Sequence, residues 1–255
     1  MRILILSFNY IPDIGPGSLR AKSLVDALVE DGPSNLKIDV VTTMPNRYYS
    51  LNISALNNEE NGKVSINRIN LPKHKNGMID QSIAFIYYSF AVRKLISKKK
   101  WDIVIATSSR LMTASLGAWV AKKTDSKLYL DIRDLFTDTM NSILQKKILR
   151  ILMPLFYMLE KWTFRSADML NLVSAGFMDH IKKVSPKISP SIYPNGVDEL
   201  FLNNDFKIDK NKKSPVVLYS GNIGDGQGLH KIIPKMAYEF QNVQFRIIGD
   251  GSAKK

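Results

Sequence analysis

The sequence predicts an α/β protein: a parallel sheet with helices on both faces, followed by the start of a second unit of the same kind. Three observations predict it. Short apolar runs of strand type alternate with longer runs of helical period. Glycine-rich stretches stand between a strand and the next helix at two places, Gly15–Gly17 and Gly221–Gly228. The strand–loop–helix–strand order then restarts after a polar, lysine-rich segment, FKIDKNKK.

The elements follow in order. Arg2–Ser7 reads as a buried strand. Ser18–Glu30 reads as a helix with Ser18 as its N-cap and Ala21, Leu24, Val25 and Leu28 on one face. Lys37–Thr43 is a strand, and Val64–Asn70 another after a polar, Asn-rich loop. Ile79–Ser97 has helical period and many aromatics. Asp102–Thr107 is a strand, Leu111–Lys123 a helix and Lys127–Asp131 a strand; Asp168–Val173 and Ser191–Tyr193 are late strands. Residues 1–204 are thus one Rossmann-like domain, 205–214 a linker and 215–255 the start of a second domain, with strand Pro215–Ser220, helix Leu229–Phe240 and strand Val243–Ile248. A doubly wound domain needs roughly 100 residues or more, so this second unit is expected to be incomplete.

Composition narrows the function classes. Of 255 residues, 45% are hydrophobic and 23% charged, as in ordinary globular proteins. There is no cysteine, which excludes disulfides and cysteine-based zinc sites. The apolar run at the N-terminus is too short for an export signal, so a cytoplasmic setting is expected. Thirty-six Lys and Arg against 23 Asp and Glu give +13, a charge that attracts anionic lipid, phosphorylated substrates or nucleic acid, or that serves solubility. No zinc-finger or RNA-recognition signature accompanies the charge, so no nucleic-acid partner is expected. His74, His180 and His230 are isolated and lack metal-ligand spacing, so no metal is expected.

In a parallel sheet, ligands sit beyond the carboxyl ends of the strands. Four loops there could carry chemistry. Gly15-Pro16-Gly17 precedes a helix whose free N–H groups and positive dipole end favour a phosphate. Gly221-Asn222-Ile223-Gly224-Asp225-Gly226-Gln227-Gly228 has more glycine than a turn requires and reads as a backbone cradle for a diphosphate, without the Lys-Ser/Thr of an ATPase loop. Asp131-Ile132-Arg133-Asp134 could bind sugar hydroxyls and phosphate or move a proton; equally, it could be a local ion pair that fixes the loop. Tyr193-Pro194-Asn195-Gly196 is a tight-turn signal. A further segment, Ile148–Leu159, is apolar, carries one charge and is flanked by Lys146, Lys147, Lys161 and Arg165. It reads either as an interfacial helix on anionic lipid or as a core helix kinked at Pro154.

FNYIPDIGPGSLRAKSLVDAL, ATSSRLMTASLGAWVAKK, LYLDIRDL, YPNGVD, YSGNIGDGQGL and RIIGDG occur in this order. Together they resemble glycosyltransferase family 4, of the GT-B fold, and most closely its bacterial O-antigen and capsule transferases of fucosamine type. The resemblance implies two Rossmann-like domains, the first for the acceptor and the second for a UDP-linked sugar, with no cofactor or metal. It implies transfer with retention to a lipid-linked saccharide in surface polysaccharide synthesis, at the inner face of the bacterial plasma membrane. Asp131, Arg133 and Asp134 would be the catalytic residues near sugar and acceptor. Gly15, Gly17, Gly221, Asn222, Gly224, Gln227 and Lys231 would surround the diphosphate.

The sequence departs from the family in three places. Asn222 and Gln227 stand where many members have Arg and Lys, leaving more of the phosphate to backbone N–H groups and Lys231. Arg133 stands where many have His. The family's paired-Glu motif, which holds sugar and ribose, has no counterpart before Lys255. Residues 1–255 alone are therefore expected to turn over no donor, and the alternative reading is a non-catalytic acceptor- or membrane-binding fragment. A sugar-nucleotide 2-epimerase of the same architecture fits less well, because its acid/base carboxylates find no place.

Overall fold

Alternation within the first strand decides how the helices are laid out. In β1 (Arg2–Leu6), Ile3 and Ile5 point to one face of the sheet and Leu4 and Leu6 to the other, and all four are buried. A strand buried on both sides needs cover on both sides. On the first face, α1 (Pro16–Asp31) packs Ala21 and Val25 over Ile3, Ile5, Ile38 and Val40. On the second, α2 (Met78–Ile96), α3 (Leu111–Thr124), α4 (Met153–Arg165) and α5 (Met178–Val184) share one core with Leu4, Leu6, Val104, Leu128, Leu130 and Leu172.

The computed structural model describes residues 1–46, 53–72, 78–97, 99–108, 111–137, 151–197, 199–202, 214–224, 227–251 and 253–254. The chain forms two units, Met1–Gly196 and Val197–Lys255. The stretch expected to be a linker lies outside the described residues except for Ser214, as do His74 and residues 148–150 of the apolar segment.

The first unit holds an eight-stranded sheet of order β3-β4-β2-β1-β5-β6-β7-β8. Its further strands are β2 (Lys37–Thr43), β3 (Asn58–Asn61), β4 (Val64–Ile69), β5 (Ile103–Thr107), β6 (Lys127–Ile132), β7 (Met169–Leu172) and β8 (Ser191–Ile192). Every pairing is parallel except that of β3 with β4. All parallel strands therefore deliver their carboxyl ends, and the loops after them, to one edge. That edge carries the site.

Three sequence expectations need correction. Ser18 is not the cap of α1: Gly15 caps the helix and Pro16 opens it, because proline's fixed φ suits the first turn and its missing N–H costs nothing there. The Asn-rich stretch is not all loop. Its NEEN segment forms the edge strand β3, where Glu59 accepts a short bond from the buried Arg68. Pro154 does not kink a helix. It stands in the first turn of α4, where proline is tolerated.

Helix α3 lies close on the sheet because its inner positions are small. A Cβ added at Gly117 would stand 2.4 Å from Ala106 Cβ, with no mobile side chain to yield. Gly117→Val is expected to cost about 1–3 kcal/mol by overpacking, measured as a lowered urea midpoint with unchanged slope.

The second unit comprises α6 (Glu199–Leu202), β9 (Val216–Ser220), α7 (Leu229–Glu239) and β10 (Gln244–Ile248), with β9 and β10 parallel.

Candidate functional site

The loop after β1 is built inward. Phe8 and Tyr10 are buried, and Asp13, also buried, accepts hydrogen bonds from Asn9 Nδ2 (2.8 Å) and the Asn46 N–H (3.3 Å). This anchors the chain just before Gly15, so the N-terminus of α1 opens at the carboxyl edge of the sheet. No side chain caps that helix end. Ser18, in its first turn, is fully buried with a hydroxyl that has no hydrogen-bond partner.

Arg133, in the loop after β6, lies across this helix end. A Cβ on Gly17 would fall 2.7 Å from Arg133 Nη1, so only glycine leaves the guanidinium its place. The Arg133 N–H donates to Ser108 Oγ (3.1 Å), which ties its backbone to the end of β5. A guanidinium and the positive end of a helix thus meet at one spot, an arrangement that favours an anion. Of the residues singled out in the sequence, Gly15, Gly17, Arg133 and the neighbouring Asp134 come together here. Asp134 is exposed on one side. Burial by the surrounding chain holds its carboxyl above the ordinary value, and the Arg133 charge opposes the shift.

Asp131 has a different environment. It is buried, and Arg20 of α1 grips it with two bonds, Nε to Oδ2 and Nη2 to Oδ1, both 2.8 Å. Asn171 Nδ2 adds a third at 2.7 Å. Arg20 also donates to the carbonyls of Tyr193 and Pro194 at 2.9 Å, and the Tyr193 N–H donates to Asn171 Oδ1 at 2.9 Å. The bond to Asp131 raises the Arg20 pKa further. This network joins α1, β6, β7 and the Tyr193-Pro194 turn. Its carboxylate is occupied, which favours the ion-pair reading of Asp131 over proton transfer. Arg20 and Asn171 were not singled out in the sequence. They lie 111 and 40 residues from Asp131, and no local pattern links them.

Because burial raises the Asp134 pKa, the folded state holds its proton more tightly than the unfolded chain does. Its contribution to stability is complete below the ordinary carboxylate range and is lost as pH rises through the raised value. Asp134→Asn is expected to be neutral or stabilising at pH 7 and to flatten the fall in stability above the ordinary carboxylate pKa, read from urea unfolding across pH.

In the second unit, the loop after β9 is closed on itself. The Gly221 and Ile223 N–H groups donate to the Ile248 and Asp250 carbonyls, each at 2.9 Å. Gln227 Oε1 accepts from the Gly224 N–H (3.1 Å) and from Asn222 Nδ2 (3.0 Å). A Cβ on Gly249 would meet the Gly221 carbonyl at 1.8 Å, so these backbones touch. Of the cradle expected at Gly221–Gly228, Asp225 and Gly226 lie outside the described residues; much of the rest is engaged in holding its own shape, and Asn222 and Gln227 are partners of each other. Among the described residues, the donors left are the N–H groups at the very start of α7, which no side chain caps, and the exposed Lys231 side chain; the Lys231 N–H itself bonds the Gly228 carbonyl (2.9 Å). Gly228, at φ 62, supplies the left-handed turn into that helix.

His180 Nε2 lies 2.9 Å from Glu160 Oε2, which also accepts from Thr137 Oγ1 (2.8 Å). Among the described residues, no group of three or more His, Cys, Asp or Glu could hold a metal ion.

The strand order defines a parallel α/β sheet with its loops gathered at the carboxyl edge, and the likeness to solved structures shows the fold to be of GT-B type. Particular solved structures share it. A sucrose-phosphate synthase from Thermosynechococcus elongatus is 14% identical, covering 79% of this chain and 93% of that one, with a TM-score of 0.52. UGT89C1 of Arabidopsis thaliana, solved with UDP-L-rhamnose, is 12% identical over 99% of this chain and 69% of its own, at 0.57. A protein described as a UDP-N-acetylglucosamine 2-epimerase from Listeria monocytogenes is 14% identical over 96% and 61%, at 0.56. The chain thus spans only 61–69% of the last two. No protein-family model matches the chain, and no curated protein matches it in sequence.

Proposed function

We propose that the protein takes part in nucleotide-sugar-dependent glycosyl transfer, moving a sugar from a UDP-linked donor to a lipid-linked saccharide acceptor in surface polysaccharide synthesis, with retention. One observation carries the reading: an uncapped helix N-terminus, Gly17 and Arg133 converge at the carboxyl edge of a GT-B sheet, beside the exposed Asp134. In such a transfer the bond between the anomeric carbon and the diphosphate oxygen breaks, the acceptor oxygen bonds to that carbon, and negative charge gathers on the diphosphate. What the protein must supply is positive charge already in place. Arg133 and the α1 dipole supply it in the first unit; the second unit, taken by itself, offers the start of α7 with Lys231.

Asp134, with its raised pKa, is suited to receive the acceptor's proton. Asp131 acts through position, holding the loop that carries Arg133. The acceptor side is proposed to meet an anionic membrane surface at the inner leaflet, which Leu152 and Leu155 support by being 43% and 62% exposed.

The test is a calorimetric screen of nucleotide sugars against the protein, UDP-linked sugars first. Saturable binding that Arg133→Ala weakens about tenfold or more supports the reading. Absence of binding by any nucleotide sugar sinks it.

A further inference from the structure

The loop that carries Arg133 and Asp134 is anchored at both ends. Just before it, at the end of β6, Asp131 is gripped by Arg20 and Asn171. Past it, Leu135 joins the core, and the next two residues attach to α4. The Phe136 and Phe156 rings lie 5.1 Å apart between centroids, and Thr137 Oγ1 donates to Glu160 Oε2 at 2.8 Å. Phe156 and Glu160 stand four apart on α4, so a single stripe of that helix receives both. The helix is itself seated on the core: Phe164 is buried there, and the hydroxyls of Thr163 on α4 and Ser115 on α3 meet at 2.8 Å.

Glu160 is the unusual member of this anchor. Its side chain is fully buried, a place where Glu is rare unless paired. Oε2 takes the Thr137 hydroxyl and lies 2.9 Å from His180 Nε2 of α5. An ionised carboxylate can only accept, so His180 carries a proton on Nε2. Oε1 has no hydrogen-bond partner among the described residues. Such a group is a poor source of stability, because burial strips water from both oxygens and the fold returns partners to one. It is a good source of position, because charge-assisted bonds in a dry site are short and strong in one geometry.

We propose that Glu160 is a positioning residue for the candidate site. It fixes Thr137, and with it the loop that lays Arg133 over Gly17, while His180 couples the same carboxylate to the helix that follows β7. Two neighbouring segments of the carboxyl edge thus share one buried acceptor. The role in binding rests on the reading of Arg133 as the donor to a diphosphate, but the hold on the loop can be measured without any ligand.

Amide exchange and calorimetry on the full chain test it. In Thr137→Val with Glu160→Met, both polar partners become apolar groups of similar size, a change that is typically neutral or stabilising. His180, with 16% of its side chain exposed, keeps access to water. The urea midpoint is expected to hold or rise. Without ligand, the Arg133 amide, which donates to Ser108 Oγ, is expected to exchange about tenfold faster, the factor for one lost anchoring bond. Affinity for UDP is expected to fall about three- to tenfold, the cost of ordering a loose side chain on binding. Thr137→Ser keeps the hydroxyl and is expected to match the wild type in exchange and affinity. Wild-type exchange at Arg133 in the double variant, a midpoint that falls in step with the loosening, unchanged UDP affinity despite faster exchange, or a Thr137→Ser loop as loose as that of the double variant would overturn the proposal. A wild type that binds neither UDP nor any nucleotide sugar defeats the transferase reading, and the exchange result still decides whether Glu160 holds the loop.

Discussion

Replacing Asp131 by alanine is expected to cost about 3–5 kcal/mol of folding stability, the loss typical when one partner of a buried ion pair is removed. Arg20 would keep its charge at a site where only 18% of its side chain is exposed, facing no carboxylate. Asn171 would lose an acceptor as well, and the Tyr193-Pro194 turn would lose part of its anchor through both. Arg20→Ala is expected to be comparably damaging, because it leaves the carboxylate buried with Asn171 as its remaining partner. Replacing both at once, as Arg20→Met with Asp131→Leu, should recover much of the loss, since paired apolar groups avoid the desolvation cost. Urea unfolding of the two single variants and the double variant checks this. A stable Asp131→Ala that has lost only ligand binding would instead put Asp131 in the chemistry.

Arg133→Ala is expected to behave in the opposite way. Its backbone bond to Ser108 survives the substitution, and the residue is only half-buried, so stability should change little. If the guanidinium holds the diphosphate of a donor, its loss should weaken nucleotide-sugar binding by about tenfold or more, as expected when one charge-assisted, bidentate donor is removed. Arg133→Lys should restore only part of that, because a point charge cannot reproduce the planar fork that lies over Gly17. Gly17→Ala should mimic the defect by pushing the guanidinium aside. Nucleotide-sugar affinities of the three variants, with unfolding midpoints measured alongside, separate this from a structural effect.

These two residues stand two apart, one at the end of β6 and one in the loop after it, and only the folded structure separates their roles. From the sequence, Asp131 and Arg133 were equal candidates. Asp131 differs because Arg20 arrives from α1, and that pairing depends on how α1 crosses the sheet rather than on any spacing. What was legible rested on short-range physics. The alternation of strand-type with helix-type runs, the helical period of Ile79–Ser97 and the glycines before α1 gave the sheet, its cover and the edge where loops gather. What was not legible rested on long-range partners. β3 is too polar to read as a strand until Arg68 lies beside Glu59. In the second unit, Asn222 and Gln227 stand where ligand-binding side chains were expected, yet they bond to each other and shape the loop.

The most direct test of the central claim is amide hydrogen exchange across the Gly15–Leu19 turn, with and without a UDP-linked sugar at saturating concentration. Slowed exchange is expected at Gly17 and Ser18 and should disappear in Arg133→Ala, since the same anion would be held by both. Unchanged exchange at this turn in the presence of a nucleotide sugar that demonstrably binds elsewhere would contradict it.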